Sequence, residues 1–208
     1  MKKETWKPSL ILGGTTTALG FARSLARKGV PVTLMSASPA QPAMHSRRAE
    51  RILVPHPVRH PDECRAEILE WGRRNAGSSQ GKCVLIPTLE EYVRIVSEHR
   101  DEMSEFFLFR LPPASLAAQL IDKRSQYRLM ENLGLNVPAT VSSEREDFIE
   151  ATTEHIGFPC VLKPCESHLW RQVRGRFKAL QVNSPRELEI EWNRLGQLGH
   201  EFLAQEAI

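Results

Sequence analysis

Short apolar runs alternate with amphipathic stretches over the first 110 residues. Ser9-Leu10-Ile11-Leu12 is an apolar run of strand length, closed by Gly13-Gly14. Leu19, Ala22, Leu25 and Ala26 then recur at helical spacing within residues 16–28, and Gly29 ends that helix. Residues 30–35 (VPVTLM) read as the next strand. A strand, a helix and a strand in such a short span form a βαβ unit, which is parallel with a right-handed crossover. Residues 51–54 make a third strand, and Cys64, Ile68 and Trp71 mark one face of a helix. Residues 75–81 (NAGSSQG) read as a turn and 82–86 as a fourth strand. Leu89, Val93 and Val96 mark the following helix, and residues 106–109 give a short fifth strand. The pattern predicts an open α/β sheet with helices on both faces.

Beyond residue 110 the pattern changes. One helix is predicted over 115–133, with Leu116, Leu120, Tyr127 and Met130 on one stripe and Gly134 at its end. Pro138 disfavours helix before it, so 135–140 reads as an extended connector. A helix over 143–155, a strand over 159–164 and a strand over 177–182 follow. Asn183-Ser184-Pro185-Arg186-Glu187 has the form of an N-cap, an N1 proline and an acidic first turn. The helix it starts turns Leu188, Trp192 and Leu195 inward, and 202–208 reads as a last strand. This second region is α+β. Leu111-Pro112-Pro113 marks the expected boundary, with domains at 1–112 and 113–208.

Composition narrows the class. Hydrophobic residues at 41% and charged residues at 25% describe a globular chain and exclude a disordered, collagenous or coiled-coil one. No run approaches the ~18–20 apolar residues of a membrane helix, and Gly13-Gly14 cuts the first run short of a signal peptide. The expected location is the cytoplasm, with no membrane partner. A net charge of +3 is too mild to point to nucleic acid. Basic residues nevertheless concentrate at 45–48 and 171–178. Cys64, Cys83, Cys160 and Cys165 show neither CxxC nor finger spacing, which argues for reduced thiols over zinc or disulfides.

Two segments invite chemistry. The Gly13-Gly14-Thr15 turn opens a helix, whose first N–H groups and dipole favour an anion. The plain alternative is a tight turn that needs glycine. A dinucleotide fold would want GxGxxG and an acidic residue ending strand two. Here the spacing is GGxxxxxG and strand two ends in Ser36-Ala37-Ser38, so an NAD(P)-dependent oxidoreductase is disfavoured, although Ser36 and Arg47 would suit a phosphate. The second segment is Lys163, the one charge in an apolar strand; it is a solvated strand end or a ligand contact.

The order Asp122-Lys123, Gly134-x-x-Val137-Pro138, Gly157-Phe158-Pro159-x-Val161-Leu162-Lys163-Pro164, Gln205-Glu206-x-Ile208 resembles the ATP-grasp superfamily. The Gly-Gly turn, Ser46-Arg47 and the stretch from Lys163-Pro164 to Ser167-His168-Leu169-Trp170 are most similar to its carboxylate–amine ligase-like proteins. The resemblance implies a Rossmann-like parallel-sheet pre-ATP-grasp domain followed by the N-terminal lobe of an ATP-grasp domain, truncated at its hinge strand. It implies an acylphosphate made from a carboxylate and ATP, then displaced by an amine or thiol. Lys123 and Lys163 would contact ATP phosphates, and Gln205, Glu206, Ala207 and Ile208 the adenine and sugar. Residues 166–178 correspond to a phosphate-covering loop that is often glycine-rich. Here it holds only Gly175, and Arg171, Arg174, Arg176 and Lys178 would make the contacts. Gly13, Gly14, Thr15, Ser46 and Arg47 are the candidates for the carboxylate substrate. The family's Mg2+ ligands and catalytic arginine would lie beyond residue 208, so the 208 residues alone are expected to be inactive, with no catalytic or metal-binding residue of their own. A reading from another class is a non-catalytic Rossmann-like module that binds a ligand or a protein.

Overall fold

A computed structural model describes residues 6–77, 81–165 and 179–207. The chain divides into two compact units, Met1–Ala117 and Ala118–Ile208.

In the first unit, β1 (Ser9–Leu12), β2 (Val32–Ser36), β3 (Glu50–Leu53), β4 (Cys83–Pro87) and β5 (Phe107–Leu108) form one sheet in the order β3-β2-β1-β4-β5. Every neighbouring pair is parallel. The central strand β1 is buried throughout, because successive side chains enter opposite faces and both faces are covered. Ile11 joins Leu34 with Ala18 and Ala22 of α1 (Thr16–Arg27) and Met44 of a 3-10 turn (Pro42–His45). Leu10 and Leu12 face the other way. They pack with Ile68 and Trp71 of α2 (Pro61–Ala76), Tyr92 and Val96 of α3 (Glu90–Glu98) and Met103 of α4 (Arg100–Phe106). The α/β sheet covered on both faces is the architecture the hydrophobic pattern predicts.

Details differ where side chains outweigh the pattern. Helix α2 runs to Ala76, so Asn75 is helical, and its Nδ2 donates to Trp71 O at 2.9 Å. The buried face of α3 is Tyr92, Ile95 and Val96, with Val93 only half-buried. Helix α4 is hidden in the sequence by its charged start, Arg100-Asp101-Glu102, yet Met103 is fully buried.

In the second unit, β6 (Thr140–Ser142), β7 (Cys160–Pro164), β8 (Leu180–Val182) and β9 (Phe202–Glu206) form an antiparallel sheet in the order β6-β9-β7-β8. One face packs on α7 (Phe148–His155) and α8 (Pro185–Gly196), around Phe148, Leu162, Leu188, Leu195 and Phe202. Phe148 meets Phe202 edge-on at 5.5 Å. Helix α8 starts as predicted: Ser184 Oγ accepts from Glu187 N at 3.2 Å, and Glu187 Oε2 accepts from Asn183 N at 2.8 Å. Of the strand expected over 177–182, residues 177 and 178 lie outside the described residues.

The single helix expected over 115–133 is two, α5 (Ala114–Ile121) and α6 (Lys123–Asn132). Asp122 separates them. Its Oδ1 accepts from Ser125 N at 2.7 Å, and an aspartate that caps one helix cannot sit inside another. The expected stripe fails with it, since Ala117 and Ile121 are buried while Leu120 is 43% exposed. Helix α7 begins at Phe148 rather than 143, because Arg145 bridges both carboxylate oxygens of Asp147 in a preceding turn.

All four cysteines are free thiols in buried positions. Burial pushes the Cys64 and Cys165 thiols up to about 12 and Cys160 to about 11, because a thiolate loses its hydration there. Folded thiols therefore keep protons that unfolded ones shed above their ordinary 9.0, so stability falls as pH rises past that value. A chromogenic disulfide reagent at pH 8 is expected to titrate four thiols in urea and none in the native protein over the same minutes. Rapid native labelling would contradict the buried placement. No helix among the described residues is long and apolar enough to cross a membrane.

Candidate functional site

The second sheet carries its polar residues on the face away from Phe148. Strand β7 alternates, with Cys160 and Leu162 in the core and Val161 and Lys163 half-buried on the other face. Antiparallel register sets Val161 opposite Gln205 of β9, which places Lys163 diagonally next to Gln205 on that same face. Gln205 is 1% exposed and every polar atom of its amide is engaged. The Thr140 hydroxyl donates to Pro138 O at 2.8 Å, so its oxygen is left to accept from Gln205 Nε2 at 3.1 Å. That turns Oε1 toward Lys163 Nζ, which donates to it, with Tyr127 OH at 3.4 Å as a second donor. The acceptor is a neutral amide. Gln205 therefore orients the ammonium without cancelling its charge, which remains available to an anion.

Lys123 opens α6, and its main-chain N donates to Cys165 O at 3.2 Å, two residues past Lys163. The fold thus brings the Asp122-Lys123 pair to the end of β7, although forty residues separate Lys123 from Lys163. Arg124 ties this corner down. It pairs with Glu144, with Glu201 at 3.0 Å and with Asp122 at 3.7 Å. The Arg124 hydrogen bond holds the Glu144 carboxyl below its usual range. A carboxylate favoured in the folded state stabilises above its unfolded pKa, and that contribution disappears as pH falls through the folded one. Arg124→Ala should cost about 1 kcal/mol at pH 7, kept small by solvent screening of half-exposed partners. The deficit should shrink below pH ~4, as the carboxylates protonate. Urea midpoints at the two pH values would check this.

Glu206 does not join Lys163. Register sets it opposite Cys160, on the core side of the sheet end, where its side chain is exposed and its N donates to Ala139 O at 3.0 Å. Ala207 is exposed just beyond the strand. Ile208, Arg171, Arg174, Arg176 and Lys178 lie outside the described residues. Tyr127 and Thr140 are site residues that sequence reading missed. Tyr127 passes there for a member of an apolar stripe and Thr140 for part of a connector. Only the hydroxyls hint at more, and their partners lie 78 and 65 residues away. Together with Arg124, Arg128, Ser142 and Leu203 they line a groove of about 410 Å³ between α6 and β6.

In the first unit, Gly13 adopts φ +110°, and Gly14 O accepts from Ala43 N at 2.8 Å. Thr15 is the N-cap of α1, with no side-chain cap bond. Ser46 is buried, its Oγ accepting from Arg48 N at 3.4 Å, whereas Arg47 is exposed beside the second half of α1. The five candidates for substrate are thus split. Gly13, Gly14 and Thr15 form the turn, Ser46 has a local structural bond, and Arg47 lies along the helix flank. No group of three or more His, Cys, Asp or Glu among the described residues could hold a metal ion.

Against known proteins, the chain is 26% identical over 207 residues to the D-aspartate ligase of Enterococcus faecium, covering 96% of this chain and 49% of that one. Among solved structures, N5-carboxyaminoimidazole synthetase from Staphylococcus aureus, complexed with ADP, superposes with a TM-score of 0.71 at 15% identity. The superposition covers all of this chain and 49% of the synthetase. The chain resembles the ATP-grasp carboxylate–amine ligases in both sequence and fold. An L-amino acid ligase from Bacillus licheniformis gives a TM-score of 0.65 at 14% identity, over 99% of this chain and 45% of its own. The chain therefore spans about half the length of the ATP-grasp relatives it matches. No family model matches it.

Proposed function

We propose that these 208 residues are the N-terminal portion of an ATP-dependent carboxylate–amine ligase. Residues 1–112 serve as the pre-ATP-grasp domain and 113–208 as the N-terminal ATP-grasp lobe. The observation that carries this reading is the Lys163 ammonium, held by a buried neutral amide on a half-covered sheet face. Phosphoryl transfer asks little covalent chemistry of a protein; it asks for positioned positive charge along the triphosphate. Lys163 supplies one such charge, and Lys123, brought to the end of β7, a second. Arg171, Arg174, Arg176 and Lys178 add further charge, and Gln205, Glu206, Ala207 and Ile208 contact adenine and ribose. Gly13, Gly14, Thr15, Ser46 and Arg47 receive the carboxylate substrate. ATP bound here supplies a transferable γ-phosphoryl group. Among the described residues, no group of three or more His, Cys, Asp or Glu offers a seat for Mg2+.

Two relatives name amino acids among their substrates, D-aspartate and L-amino acids, which makes amino acids the first substrates to try. The test uses two proteins: the 208-residue chain and the product of its reading frame extended downstream. ADP release is expected only from the longer product, and only with an amine and a carboxylate present. A 208-residue chain that turns over ATP, or an extended product that binds none, would sink the proposal.

A further inference from the structure

The first unit has a second feature, on the flank of α1. Gly20, Arg23, Ser24 and Arg27 lie at i, i+3, i+4 and i+7, so they share one exposed stripe. Residues 45–48, at the end of the 3-10 turn and just beyond it, form the facing wall, and a groove of about 670 Å³ opens between them. Its lining holds Arg23, Arg27, Arg47, Arg48 and His45, and no carboxylate. None of the four arginines forms an ion pair among the described residues. Gly20 leaves the floor open, since a Cβ added there would meet nothing within 4 Å.

Four guanidiniums without an ion pair among the described residues repel one another around one concavity, and an anion of matching charge relieves that repulsion. Guanidinium is also the side chain whose fork fits phosphate oxygens two at a time. The groove has the volume of a small-molecule site. It has two walls and no Phe, Tyr or Trp on which bases would stack, so a compact ligand fits it better than a nucleic-acid strand. We infer that this groove binds a compact multivalent anion of the pyrophosphate or polyphosphate class, with Arg23 and Arg27 on one wall and Arg47 and Arg48 on the other. The inference shares Arg47 with the substrate reading above but rests on the groove alone, and it requires neither turnover nor the Lys163 site.

Calorimetric titration of the 208-residue chain with inorganic pyrophosphate and with tripolyphosphate tests it. Saturable binding is expected to be tighter for tripolyphosphate and to weaken as salt is raised. Arg23→Gln with Arg27→Gln should weaken it roughly tenfold or more. Arg59→Gln, an exposed arginine outside the groove, should leave it unchanged. All of these positions are exposed or half-buried, so the variants keep their cores, and circular dichroism verifies that. The inference is overturned by absent binding, by equal affinity for sulfate and tripolyphosphate, or by a loss in Lys163→Met but not in the double variant. Tighter binding of a short oligonucleotide through the same arginines would replace it with a nucleic-acid surface. If the anion binds while the extended product fails to form ADP, the groove stands and the ligase reading falls.

Discussion

Lys163→Met in the extended, nucleotide-binding protein is expected to weaken ATP binding or slow turnover by about 10²-fold or more, a few kcal/mol, because one phosphate charge loses its partner in a partly desolvated site. Methionine keeps most of the aliphatic stem and removes only the ammonium. The fold should barely notice, since Lys163 is half-buried and Gln205 Oε1 keeps Tyr127 as a donor at 3.4 Å. A stability loss of about 1–2 kcal/mol is expected, since a hydrogen bond from a charged donor contributes ~1.5–3 kcal/mol and Tyr127 still serves the acceptor. Gln205→Leu offers the contrasting case. It leaves the ammonium in place but removes the acceptor that orients it, so Gln205 is a positioning residue. That variant should lose less than Lys163→Met, and mainly in turnover rather than in the apparent affinity for ATP. Isothermal titration with a non-hydrolysable ATP analogue, paired with steady-state ADP release, separates the two. Unaltered nucleotide binding in Lys163→Met would remove Lys163 from the site.

Gly13→Ala should be the more damaging change to folding. Two independent costs meet at this residue. Its φ of +110° is one that side chains rarely adopt, and an added Cβ would stand 2.5 Å from Thr88 Oγ1 and 3.3 Å from Leu89 Cδ1. Thr88 cannot simply turn aside, because its Oγ1 and its N both donate to Leu12 O, at 2.8 and 2.9 Å. Backbone strain and overpacking together predict a loss of about 3 kcal/mol or more. At ~4–8 °C per kcal/mol for a unit of this size, the melting transition of the first unit should fall by more than 10 °C. Gly14→Ala should be milder. A Cβ there would crowd the Gln41 side chain at 2.6 Å and Ser36 Oγ at 2.8 Å, but the backbone carries no positive φ. Differential scanning calorimetry of both variants decides the matter. A Gly13→Ala protein with wild-type melting would return the turn to a purely ligand-binding explanation.

The parallel sheet was legible because its rules are local. Each of β1, β2 and β4 is a short apolar run, and runs buried on both faces look alike whichever helix covers them. The Ser184-Pro185-x-Glu187 cap was legible for the same reason, since all its hydrogen bonds close within four residues. Helix α4 was not, because a charged first turn breaks the apolar period and only Met103 reports burial. The break at Asp122 could have been read, as a capping aspartate three residues before Ser125. The longer apolar period on both sides of it concealed the signal.

The sequence by itself determined the class of this protein: two α/β-type regions, reduced cysteines, a glycine turn, and two lysines in an order that resembles ATP-grasp ligases. Helical and strand periods, caps and glycines act over a few residues, so one dimension suffices for them. Only the tertiary structure decided which residues come together in the candidate site. Antiparallel register puts Lys163 against Gln205, a hydroxyl chain through Thr140 and Pro138 turns the amide toward it, and α6 delivers Tyr127 and the start at Lys123. It also split Arg47 from the glycine turn and set it against Arg23 and Arg27. Apart from the local Thr140–Pro138 bond, such contacts join residues twenty to eighty positions apart, and their partners are chosen by sheet register and helix packing, which no local pattern encodes.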